Sequence, residues 1–237
     1  MIKIKRYYTA LRRYKRSKGF GIHSPFAFNF VLKVLRERCP YYAYDNIHAA
    51  RWQASRLASS AKERRSLISF KGAKMMFRIT CFFNPQSILQ IGTSHGILSS
   101  AMLNVSSTAH LHSYLGVKYN HKIYQSLTSA IDNRITKYDD VNLAIDGYFS
   151  RLNDNEAPFV VINHIDKEVK SILNAVTNAI NRGGVVVVRN INRNSTINMF
   201  WKQLKASMPY GMSFSNEKTG IIVGYDHLPL QHFSLWF

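Results

Sequence analysis

The chemistry in this sequence is most readable at Ser87-Ile88-Leu89-Gln90-Ile91-Gly92-Thr93-Ser94-His95-Gly96-Ile97. A short apolar run leads into a glycine turn and then a helical pattern, which lets backbone approach a ligand closely. Doubly wound sheets bind their ligands at such strand ends, and the amides opening the following helix favour nucleotide-like or anionic groups. A Gly-x-x-x-Gly turn also serves simply as a tight turn. Within the loop, His95 can act as a general base or stack on a ligand. No carboxylate is identifiable to orient it, so an ordinary loop histidine fits as well. Asn163-His164 closes another apolar run at the same kind of edge. His164 is there a candidate base, with hydrogen bonding of the loop as its alternative. His110 and His112 alternate on one strand and could share a metal, but no third ligand accompanies them, so no metal is expected. Arg189 suits an anionic ligand or a salt bridge to an acid such as Asp166. Met199 and Trp201 suit packing of a helix on the sheet, or a substrate cage.

These residues need elements to hold them. Ile4, Tyr7, Tyr8, Leu11 and Tyr14 recur at helical spacing, so the basic start is an amphipathic helix, broken at Gly19-Phe20-Gly21. Ser24-Pro25 reads as an N-cap and first-turn proline, opening a helix to about Arg38 that Pro40 ends. Asp45 can cap a third helix, and a fourth runs from about Arg65 to Phe82, stopping before Asn84-Pro85. From Gln86 strands alternate with helices. The strands are Ser87–Ile91, His110–Leu115, Val141–Ile145, Phe159–Asn163 and Val185–Val188. Helices fall near 97–105, 119–134, after Asp166 as a cap, and over 195–207. Met212–Ser215 and Gly220–Tyr225 form an antiparallel hairpin. The order implies a mostly parallel sheet covered on both faces. Residues 1–83 form a basic helical region and 84–237 a Rossmann-like α/β domain.

Length and charge bound the rest. The chain has 237 residues, 46% of them apolar and only 18 Gly or Pro, so a packed core is expected and disorder is not. No apolar run reaches the ~18–20 residues of a membrane span, and no apolar signal segment is visible. Cys39 and Cys81 lie in apolar stretches and read as buried free thiols in a reducing, cytoplasmic setting. Of 32 Lys+Arg, 19 fall in residues 1–80 with only 3 of the 13 acids, so that third carries +16 of the formal +19. Such asymmetry suits an anionic partner (nucleic acid, a membrane surface or another acidic polymer) or a solvated helix face.

The chain as a whole resembles the class I S-adenosylmethionine-dependent methyltransferases, within a methyltransferase-like group of Bacteroides-type bacteria. The resemblance rests on Gly19-Phe20-Gly21-Ile22-His23-Ser24-Pro25-Phe26-Ala27-Phe28, Tyr41-Tyr42-Ala43-Tyr44 and the Ile91–Ile97 loop. It continues through Gly183-Gly184-Val185-Val186-Val187-Val188, Met199-Phe200-Trp201 and His232-Phe233. It implies a seven-stranded sheet with a reversed final strand, S-adenosylmethionine as cofactor, and Gly92, Thr93, Ser94 and Gly96 around its methionine and ribose, with His95 in the same cofactor loop. Catalysis would fall to Asn163 and His164. The sequence departs from that pattern at four acidic sites. Gln90 opens the loop, and Leu115-Gly116 replaces the ribose-binding carboxylate. Asn163-His164 follows the fourth strand, and Arg189-Asn190-Ile191 follows the fifth. Asp146, expected after the third strand, is the nearby acid that can still meet adenine or ribose.

Overall fold

A computed structural model describes residues 10–11, 13–93, 95–116, 119–153, 155–166 and 168–237. The expected site residue Ser94, Arg12 and the first nine residues lie outside that description. Helical turns occupy 10–17, apart from 12. Ser24 Oγ accepts from the Ala27 amide and Pro25 sits in the first turn, opening α1 (Pro25–Phe30) as the sequence predicts. The helix runs on only as a π-helical turn, Val31–Leu35. Buried Arg78 stops it there, donating Nε to Val34 O, Nη2 to Leu35 O and Nη1 to Tyr44 OH. Helix α2 spans Ala43–Leu57, with Asp45 in its first turn rather than at its cap. The expected fourth helix is two, α3 (Ala61–Ser66) and α4 (Phe70–Phe83). Ser60 and Ser69 each cap one through their side chains.

The strands are β1 (Ser87–Ile91), β2 (His110–Tyr114), β3 (Ile135–Tyr138), β4 (Phe159–Ile162), β5 (Val185–Arg189), β6 (Met212–Ser215), β7 (Thr219–Val223) and β8 (Gln231–Ser234). They form one sheet in the order β3-β2-β1-β4-β5-β7-β6-β8. Strands β1 to β5 are mutually parallel, and β7 alone runs against its neighbours β5 and β6. The sheet therefore has eight strands, not seven. The extra strand, β8, pairs parallel with β6 and covers what would otherwise be an open edge. Phe233 stacks on Phe214 at 5.2 Å, and His232 Nδ1 meets Ser213 Oγ at 2.8 Å.

The third strand is also corrected. Val141–Ile145 is not a strand but the start of a helix, α7 (Val141–Phe149), and Ile135–Tyr138 takes the strand position. Asp140 decides the matter by accepting from the Asn142 and Leu143 amides, and Val141, Ala144, Ile145 and Tyr148 then bury one helical face.

The remaining helices are α5 (Ile97–Leu103), α6 (His121–Thr128, continued by a 3-10 turn), α8 (Val169–Asn181) and α9 (Ser195–Ala206). Asp166 does not cap α8, whose N-cap is Glu168. Alternate side chains of the central strands feed two cores. Ile88, Leu111, Val161 and Val187 pack with Phe30, Ile47 and Phe77 from the N-terminal helices, so that core runs across residue 84. Leu89, Ile91, Val186 and Val188 pack with α7, α8 and α9. Trp201 belongs to the second core, whereas Met199 is exposed. Both cysteines are free, but they are exposed, not buried. Cys39 follows the π turn with its amide on Glu37 Oε1, and Cys81 falls off the α4 stripe formed by Ala73, Met76, Phe77 and Thr80. Among the described residues, no helix is long and apolar enough to cross a membrane.

Candidate functional site

Strands β1, β2, β4 and β5 end side by side, where the sheet order reverses between β1 and β4. Loops from all four meet there, the position at which such sheets bind ligands. Gly92 leaves β1 with φ 75 and donates its amide to Tyr114 O, and Thr93 donates to Leu115 O. Thr93 Oγ1 accepts from the Gly96 amide, and Gly96 opens α5 at φ 84. The predicted strand–glycine–helix loop is thus present.

What sits on it differs from the sequence-based expectation. The His164 ring lies against both glycines of the crevice. A Cβ on Gly92 would come within 2.6 Å of its Cε1 and Nδ1, and one on Gly116 within 2.9 Å of its Nε2. Asp166 lies beside the ring, its Oδ2 3.1 Å from Nε2. The sequence assigned Asp166 to a helix cap or to Arg189. The spacing of two residues after a strand end was the one signal that could have paired it with His164.

Asn163 is bound at every polar atom. Its Nδ2 donates to Gly92 O, its Oδ1 accepts from Arg189 Nη1 at 3.1 Å, its amide donates to Ile91 O and its carbonyl accepts from Asn190 Nδ2. It therefore stitches β1, β4 and β5 together. Burial, reinforced by nearby Arg193, pushes the Arg189 guanidinium down to about 10, so it stays cationic at neutral pH. Leu115 is 8% exposed and offers no acceptor. Gln90 Oε1 accepts from Ser99 Oγ, while its buried Nε2 has no partner among the described residues.

His95, at φ 54, meets α3 and the start of α6 through its ring nitrogens. Its Nδ1 accepts from the Asn120 amide at 3.0 Å and its Nε2 lies 3.4 Å from Ser66 Oγ. Asn120 Nδ2 in turn donates to Glu63 Oε1, so the carboxylate invisible in the sequence arrives from α3. Burial lowers the His95 pKa, opposed by Glu63 and assisted by His164. With both ring nitrogens engaged, His95 braces α3 against the loop. Asp146 is not at the strand ends; it lies on the exposed side of α7, because the segment before it is helical. His110 and His112 hydrogen-bond to Thr136 Oγ1 and Tyr138 OH, and burial drives His112 down to about 4. No group of three or more His, Cys, Asp or Glu side chains suited to a metal occurs among the described residues.

No protein-family model and no curated protein matches the sequence. Solved structures do match in shape. A methyltransferase from Geobacter sulfurreducens aligns with a TM-score of 0.55 at 11% identity, over 78% of this chain and 90% of that one. A methyltransferase of Podospora anserina, bound to S-adenosylhomocysteine, gives 0.54 at 12%, over 87% and 98%. An O-methyltransferase from Bacillus cereus, also in complex with S-adenosylhomocysteine, gives 0.52 at 14%, over 82% and 96%. The chain has the Rossmann-like methyltransferase fold, and at these identities the likeness is one of fold.

Proposed function

We propose that this chain is a methyltransferase-fold protein that has lost methyl transfer and works by binding an anionic polymer, RNA in the first instance, through its basic helices. The observation that carries the reading is the His164 ring seated on Gly92 and Gly116, in the space a cofactor would need to reach that backbone. The surrounding side chains do not fit S-adenosylmethionine either. Leu115 stands where ribose hydroxyls need an acceptor, forfeiting roughly 1.5–3 kcal/mol of charge-assisted bonding. Arg189 brings a half-buried positive charge toward a cationic sulfonium, and Asn163 Oδ1 and Nδ2 are already engaged by Arg189 and Gly92 O.

Among the described residues, exposed Arg56, Lys62, Arg64 and Arg65 cluster along α2 and α3. Arg56 stacks over exposed Trp52 at 4.6 Å, an arrangement that also suits a nucleobase. Glu63, the acid of α3, turns inward to the Ser59 amide and Asn120.

Calorimetric titration with S-adenosylmethionine and S-adenosylhomocysteine tests the first half: no heat is expected at millimolar cofactor, and micromolar binding would overturn it. For the second half, Arg64→Glu with Arg65→Glu should abolish salt-sensitive RNA binding. If anionic vesicles bind and RNA does not, the polymer reading is wrong. If neither binds, the charge serves solubility alone.

A second reading, a working S-adenosylmethionine-dependent methyltransferase, draws on the retained loop backbone with Gly92 and Gly96 at positive φ. The S-adenosylhomocysteine-bound proteins of the same fold lend it weight. Methyl transfer mainly needs in-line positioning, so it tolerates the missing base. Micromolar cofactor binding in the same titration would favour it.

A further inference from the structure

Beside the crevice lies a cavity of about 310 Å3, bounded by the start of α4, the end of β5, the β6–β7 turn and the C-terminal segment. Four cationic side chains line it: Arg13, Lys71, Arg189 and Lys218. The acid among the lining side chains, Glu217, is already paired with Arg13 at 3.0 Å. The first turn of α4 contributes no acid of its own. The facing wall is apolar, from Met75, Met76, Leu235 and Trp236. Small-molecule sites join such an apolar wall to a few convergent polar groups, in volumes of roughly 300–1,000 Å3.

From this arrangement we propose that the cavity binds a small organic anion, a carboxylate or phosphate head on a body of one or two rings. Lys71 and Lys218 bring exposed point charges to the mouth, and Arg189, which also holds Asn163, adds positive potential at the inner wall. This site goes beyond the polymer-binding reading and does not depend on whether the glycine crevice is closed.

The test uses 1-naphthoate and 1-naphthyl phosphate, with 1-naphthol and inorganic phosphate as head-free and body-free controls, followed by calorimetry at low salt. At least one naphthyl anion should bind with a submillimolar Kd, and both controls about tenfold or more weaker. The tighter anion identifies the head. Lys71→Ala with Lys218→Ala, both exposed side chains whose loss leaves the core intact, should weaken binding by at least about tenfold. Absence of saturable binding by both anions, equal binding of 1-naphthol, or an unchanged Kd in the double variant would each overturn the proposal. Neither probe carries adenosine, so the result is separable from the cofactor titration.

Discussion

Gly92→Ala offers a direct measurement of where the His164 ring sits. The new methyl group would meet two penalties. At φ 75 the backbone is left-handed, which costs an L-residue about 1–2 kcal/mol. Its Cβ would also lie 2.6 Å from two imidazole atoms, and forcing a methyl into packed space costs about 1–3 kcal/mol more. In a His164→Ala background only the first penalty remains, so the two substitutions should couple by about 1–3 kcal/mol in a double-mutant cycle. Gly21 supplies the control: it has φ 72 and nothing within 4 Å of its would-be Cβ, so Gly21→Ala should show the backbone penalty alone. Urea unfolding of the four crevice proteins and the control gives each term, with midpoints read at constant slope. In a chain of this length each kcal/mol also moves Tm by about 2–4 °C. If Gly92→Ala costs the same with and without the histidine, the ring is not on that glycine and the closed-crevice account fails.

Two further outcomes follow from the buried polar groups. His112 is held neutral by burial, to about 4, against an ordinary value of 6.5. Its folded pKa is depressed, so the unfolded chain takes up the proton first as pH falls. Stability should be intact above about pH 6.5 and decline by roughly 2–3 kcal/mol toward pH 4. His112→Asn should flatten that slope in denaturant titrations, and an unchanged slope would assign it to other groups. Asn120 caps α6 through Ile123 N and also ties Glu63 to the loop. Asn120→Ala should therefore cost about 1–2 kcal/mol and raise amide exchange in α3, whereas a cap-only role would leave α3 unchanged.

The mostly parallel α/β texture, the hairpin and the glycine loop were legible in the sequence because they depend on local signals. The β-branched run Val185–Val188, the Ser24-Pro25 cap and the turn at Gly92 each decide their own conformation. Val141–Ile145 misled because a short apolar run fits strand or helix alike, and only the Asp140 side chain on two amides settles it. Strand β8 was invisible since Gln231–Ser234 has weak alternation and becomes a strand by pairing with an edge. The site was half legible. That positions 90, 115, 163 and 189 carry no acid can be read off directly. That His164 fills the crevice depends on its ring reaching two glycines from separate loops, and that Glu63 braces His95 depends on a helix packing 57 residues away from Asn120.

Two segments far apart along the chain are tied together by polar contacts. Ser17 Oγ accepts from the Trp236 amide, and Arg13 Nε donates to Ser234 Oγ, across sequence separations of 219 and 221 residues. A contact of that span closes a loop containing the whole sheet, so its cost in chain entropy is met only once the sheet has brought its two sides together. It is a late clasp rather than a nucleus, and its loss would leave a basic arm loose on an otherwise folded sheet.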